Sequence, residues 1–116
     1  MKYDLEKRTR DFSKDILRFL KEIKINDLNR NIVSQLIRSA TSVGANYHEA
    51  NGASSKSDFR NKIHICRKEI QETEYWLDLL EEAISEHKGK LKNISKEAHE
   101  LTLIFNKISY SSSLKH

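Results

Sequence analysis

Apolar residues recur along the 116-residue chain at helical spacing, in four stretches. In the first, about residues 4–23, Leu5, Phe12, Ile16, Phe19, Leu20 and Ile23 fall within one arc when each residue is turned by ~100°. Asn26-Asp27 supplies turn chemistry before a second stretch over about 29–50, with Ile32, Leu36, Ala40, Val43 and Tyr47 on one face. Asn51-Gly52 reads as its stop, glycine being the residue that tolerates a left-handed C-terminal turn. The third stretch, about 56–87, opens on Ser55 as N-cap with Asp58 three residues on, close to a capping box. Phe59, Ile63, Cys66, Ile70, Thr73, Leu77, Leu80 and Ile84 then step alternately by four and three, a heptad seam that asks for partner helices at a shallow crossing angle. Gly89 is expected to end it. The fourth, about 95–110, starts after Ser95 as N-cap and carries Ala98, Leu101, Ile104, Phe105 and Ile108, and residues 111–116 are expected to fray.

Short connections between long helices make neighbours antiparallel, so the pattern predicts an all-α, up-down-up-down four-helix bundle in one domain over 1–110. Composition agrees: there is no proline, glycines number three, and the 33% of charged residues alternate with apolar ones at helical period instead of forming a disordered polar tract. No apolar run approaches the ~20 residues that span a bilayer. The opening Met1 to Arg8 lacks the apolar segment of a signal peptide, and the single cysteine, Cys66, has no internal partner for a disulfide. A cytoplasmic protein without a membrane partner is the expectation.

Residues 39–59 are dense in small side chains and hold two of the glycines, which raises the question of a phosphate loop. The P-loop pattern fails: Gly44 and Gly52 are eight apart, no lysine follows Gly52 directly, and no strand precedes. His48-Glu49 begins like a zinc-protease helix, but Gly52 stands where the second histidine ligand belongs. Cys66 lies on the heptad seam, where a small buried hydrophobe is the plainer reading than a reactive thiol. Helix 3 carries many carboxylates, yet none heads the Glu-x-x-His pair of a di-iron bundle. The expectation is therefore no enzyme, no catalytic residues, no metal and no cofactor.

Charge placement changes the picture more than the net +4 does. On helix 1, Lys7, Arg10, Lys14, Arg18 and Lys21 share a face roughly opposite the apolar arc, beside Asp4, Asp11, Asp15 and Glu22. Such a stripe is either a solvated face laced with ion pairs or a track of cations for a nucleic-acid backbone. Helix 3 is basic first (Lys56, Arg60, Lys62, Arg67, Lys68) and acidic from Glu69 to Glu86. A helix dipole prefers the reverse, so complementarity to something outside that helix is expected. Between Asn31 and His48 helix 2 has only Arg38 as a formal charge, and Ser39, Ser42 and Gly44 surround its turns with small residues. Gly44 costs about 1 kcal/mol relative to alanine in a helix interior, which close approach of another helix would explain. Ile65, Trp76 and Leu79 widen the apolar zone of helix 3 beyond one seam. Ser39, Ser42, Gly44, Tyr47, Ile65, Trp76 and Leu79 are therefore candidate contacts in a homo-oligomer.

Residues 35–50, Gln-Leu-Ile-Arg-Ser-Ala-Thr-Ser-Val-Gly-Ala-Asn-Tyr-His-Glu-Ala, resemble the signature of a bacterial four-helix-bundle family that includes proteins encoded in intervening sequences of large-subunit ribosomal RNA genes. Ser55 to Phe59, Lys68-Glu69 and Glu72 to Leu77 resemble its second block, so the resemblance covers nearly the whole chain. It implies a ring-like homopentamer. A related branch, the accessory variability determinant of diversity-generating retroelements, binds nucleic acid and a reverse transcriptase through a basic surface. The family has no established catalytic residues to carry over, and His48 and Cys66 stand where it more often has other residues. Asn46, Glu49 and Glu72 fall in the signature and are expected in a buried polar network or at helix ends, in preference to ligand binding. The expected activity is RNA or DNA binding without strong sequence preference through Lys7, Arg10, Lys14, Arg18, Lys21, Arg60, Lys62 and Arg67. The rival is a protein-interaction scaffold, for example for a reverse transcriptase, with no direct nucleic-acid role.

Overall fold

The computed structural model describes residues 4–113 as four helices, α1 (Leu5–Glu22), α2 (Arg30–Asn51), α3 (Lys56–Ala83) and α4 (Lys88–Ser113), with no strand among the described residues. Asp4 caps α1, its carboxylate accepting the Lys7 N–H at 3.1 Å. Ser55 caps α3 as the capping pattern predicts, its hydroxyl accepting the Asp58 N–H at 3.0 Å. The turn before α2 is organised by asparagines: Asn26 and Asn29 each accept the other's backbone N–H at 3.0 Å, and the buried Asn29 amide also donates to the Lys24 carbonyl. Gly52 caps α2 with φ −99°, so it ends the helix without the left-handed conformation that glycine's presence suggests.

Each helix packs against two neighbours in the cyclic order α1, α2, α3, α4, which leaves α1 and α3 facing each other across the core. The heptad positions of α3 from Ile63 to Leu80 are buried, together with Phe12 and Ile16 of α1, Leu36 and Val43 of α2, and Leu91, Leu101 and Phe105 of α4. Each buried Leu, Ile, Val or Phe among them contributes roughly 1.5–3 kcal/mol on burial, so this shared apolar core is the main source of stability. Polar pairs tie helix ends together: Glu6 to His48, Glu49 to Lys62, and Glu22 to Lys90. The molecule measures 47 × 25 × 20 Å.

The junction between α3 and α4 departs from the expected boundaries. α3 stops at Ala83 instead of about 87, because Ile84 turns extended (ψ 154°) while still reaching the core edge. His87, the residue before α4, takes the left-handed conformation (φ 62°). Gly89 therefore does not end α3; it lies in the first turn of α4, where a side chain's Cβ would meet open space. Ser95 is interior to α4 and not its cap. The physical reason is hydrophobic phase: Leu91 and Ile94 lie on the same face as Ala98 and Leu101, and Leu91 is buried, so the helix extends back over them. α4 also runs to Ser113, three residues beyond the expected end at 110, so residues 111–113 are helical. The expected fraying at 114–116 lies outside the described residues.

Candidate nucleic-acid interface

The stripe on α1 resolves into paired and unpaired cations. Lys7 holds Asp11 at 2.7 Å and Arg18 holds Asp15 at 3.4 Å, both on the exposed surface. Lys7 is thereby raised above the ordinary lysine range, first by that hydrogen bond, and Asp11 is lowered for the same reason. Arg10, Lys14 and Lys21 are exposed and have no hydrogen-bond or ion-pair partner among the described residues. Arg10 also borders a groove of about 380 Å3 between α1 and α2, beside Thr41, Gly44 and His48.

The basic residues of early α3 do not join that stripe. α3 sits across the core from α1, and its three candidates point in different directions. Lys62 faces α2 and is bound to Glu49 at 2.6 Å, which raises the ammonium and lowers the carboxyl. Arg67 faces α4 and donates its Nε to Asn106 at 2.9 Å. Arg60 has no such partner among the described residues and borders a cavity with Lys56 and Lys107. One chain thus presents two separate basic regions, the outer face of α1 and the α3–α4 edge at one end of the bundle.

The acidic half of α3 is partly answered within the chain. Arg38, the lone charge of mid-α2, is bound by Glu69 at 3.2 Å and by Glu72. Glu72 also accepts the indole N–H of Trp76 at 2.9 Å, and Glu69 accepts from Ser42. Glu72 is held below the ordinary carboxylate range, first by Trp76 and then by Arg38 after burial is set against them. Glu74 reaches His99 and Thr102 of α4. A polar network joins the signature residues along the α2–α3 seam, but it is half-exposed and not buried as expected, with Asn46 donating to the Ser42 carbonyl. Glu49 serves the helix-end contact with Lys62.

The small residues of α2 make room mainly for helices of the same chain. Ser39 is fully buried and accepts from Thr73 of α3 at 3.0 Å, so it offers no surface to a second subunit. Gly44 lies against Thr9 of α1, where an added Cβ would meet the carbonyl and hydroxyl oxygens at 3.5 Å, an ordinary contact. Tyr47 packs edge-on to Phe105 of α4 with centroids 5.9 Å apart, and burial raises its phenol. Ile65, Trp76 and Leu79 are half-buried along one edge of α3, where Tyr75 stacks edge-on to Trp76 and is itself 56% exposed.

Cys66 is fully buried, its S–H donating to the Val43 carbonyl at 3.5 Å, and burial pushes the thiol up to about 12. That is the opposite of an activated nucleophile. His48 bonds Glu6 at 2.7 Å. No group of three or more His, Cys, Asp or Glu residues among those described is placed to hold a metal ion, and no described helix is long and apolar enough to cross a membrane.

Sequence reasoning missed an ion pair between α1 and α4. Arg8 of α1 grips Glu97 of α4 with two hydrogen bonds (2.7 and 2.8 Å) and reaches Glu100 at 2.9 Å. The half-buried guanidinium is raised well above its ordinary value, chiefly by Glu97. The available signal was position: Arg8 lies four residues before Phe12, at the border of the apolar arc, where a long side chain reaches a neighbouring helix.

Comparison with known proteins places the chain. Among curated proteins none matches it. A solved structure from Bacteroides thetaiotaomicron, a protein of unknown function from the S23 ribosomal protein family, is 31% identical and superposes with a TM-score of 0.77, covering 90% of this chain and 96% of that one. The sequence profile of the 23S rRNA-intervening sequence protein family matches residues 1–107. The chain belongs to the 23S rRNA-intervening sequence protein family.

Proposed function

We propose that this protein is a non-enzymatic, cytoplasmic scaffold that binds RNA or DNA through its basic faces without strong sequence preference. Its helices alternate in direction, and subunits assemble into a ring-like homopentamer. The observation that carries the reading is the outer face of α1: Arg10, Lys14 and Lys21 stand exposed and unpaired among the described residues, while Lys7 and Arg18 hold the neighbouring carboxylates of Asp11 and Asp15. Phosphates are met by such cations without reading bases, which gives affinity and little specificity. A ring repeats a weak patch around its circumference, and repetition converts modest single contacts into avidity. The family's name points to 23S rRNA intervening sequences, so RNA is the first probe.

A second reading, a scaffold for a protein such as a reverse transcriptase, draws on the half-buried edge of Ile65, Trp76 and Leu79 with exposed Tyr75. In the first reading the same edge is a subunit contact. Replacing Arg10, Lys14 and Lys21 together by glutamine separates the two. The nucleic-acid reading requires RNA binding to fall while light scattering reports an unchanged assembly; retained RNA binding favours the protein scaffold.

A further inference from the structure

At one end of the bundle, where the α2–α3 turn meets the last turns of α4, lies a cavity of about 710 Å3. That is within the ~300–1,000 Å3 typical of small-molecule sites. Ala50, Ala53, Phe59 and Ile108 make its walls apolar. Lys56, Arg60 and Lys107 line it as well, and none has a hydrogen-bond or ion-pair partner among the described residues. No Asp or Glu among the described residues lines the cavity. The first turn of α3 and the last turns of α2 and α4 all reach it, so the helix dipoles partly cancel, and the three side-chain cations set its sign. The other candidate cations of α3 have partners within the chain: Lys62, one turn from Phe59, is bound to the Glu49 carboxylate, and Arg67 donates to the neutral Asn106 amide. A group of cations beside an apolar hollow, left without an internal counter-charge, is complementary to a ligand that brings both an anion and a greasy body.

We propose that this cavity binds a small organic anion with a compact apolar body, the body resting on Phe59 and Ile108 and the anionic head held by Arg60, Lys107 and Lys56. No α1 residue lines the cavity, so the proposal does not depend on nucleic-acid binding through the α1 face. Arg60 alone belongs to both the nucleic-acid candidates and this cavity.

The test uses the full chain with 8-anilinonaphthalene-1-sulfonate, an aromatic anion that fluoresces when its apolar part leaves water. Saturable binding of one dye per chain is expected, displaced by decanoate but not by inorganic phosphate, which has charge without an apolar body. The double variant Arg60→Gln/Lys107→Gln removes surface charges without disturbing the core and should bind the dye at least about tenfold more weakly, as loss of hydrogen bonds to a charged group implies. Arg10→Gln/Lys14→Gln should leave dye affinity unchanged. The proposal is overturned by absent or unsaturable dye binding, or by equal affinity in the Arg60/Lys107 variant. It is also overturned if a single-stranded oligonucleotide displaces the dye while decanoate does not, since the cavity would then belong to a nucleic-acid surface.

Discussion

The indole N–H of Trp76 donates to Glu72 one helical turn earlier at 2.9 Å, and the same carboxylate grips Arg38 across the α2–α3 seam. One acidic side chain thus joins the sole tryptophan to the sole mid-helix charge of α2. The folded Glu72 carboxyl lies below its ordinary range, so the contact is fully present at the ordinary value and is lost as pH falls through the lowered one.

Trp76 fluorescence should therefore change as pH drops below about 4.3, the ordinary glutamate value, while far-UV circular dichroism still reports a folded chain. Glu72→Gln keeps an acceptor for the indole but cannot titrate, and its emission should stay flat across that interval. Identical titrations of the two proteins would mean that Glu72 does not hold Trp76.

Gly44→Ala should stabilise the chain. Its new Cβ meets Thr9 at 3.5 Å, ordinary contact distance, and alanine gains about 1 kcal/mol over glycine inside a helix. A melting temperature raised by a few degrees is expected, with unchanged light scattering. A lowered melting temperature would show the α1–α2 contact to be tighter than the Cβ position implies. Dissociation would instead place a second subunit against Gly44.

Cys66 should not react with a thiol reagent in the native protein at pH 8, and its labelling rate should follow global unfolding in denaturant. Between about pH 9 and 12 the unfolded thiol ionises while the buried one does not, so stability should decline as pH rises through that interval. Fast native labelling would contradict the burial.

The sequence carried most of the fold because burial repeats a period: the seam from Ile63 to Leu80 and the arc of Phe12, Ile16 and Phe19 occupy the positions their spacing predicts. It misplaced the start of α4 because Gly89 and Ser95 resemble punctuation, whereas the in-phase Leu91 and Ile94 outweigh two local signals. The candidate site was less readable. Angular position on α1 locates its stripe, but whether a cation is spent on a neighbour depends on which helix lies beside it. Arg38 answers Glu69 and Glu72, 31 and 34 residues away, and Arg8 answers Glu97, 89 away. No local pattern encodes such pairings, and so the polarity of α3 pointed outward when half of it is met within the chain. Ser39 shows the same limit: a small polar residue for a neighbouring helix was legible, but not that the helix is α3 of its own chain.

The most direct test of nucleic-acid binding is the salt dependence of RNA affinity, measured on the wild-type protein and on the Arg10→Gln/Lys14→Gln/Lys21→Gln variant. Log affinity should fall linearly with log salt concentration in the wild type, with a slope of about −0.7 per phosphate neutralised on a single strand, and clearly less steeply in the variant. A flat plot for the wild type, or equal slopes for the two proteins, would contradict binding through the α1 face.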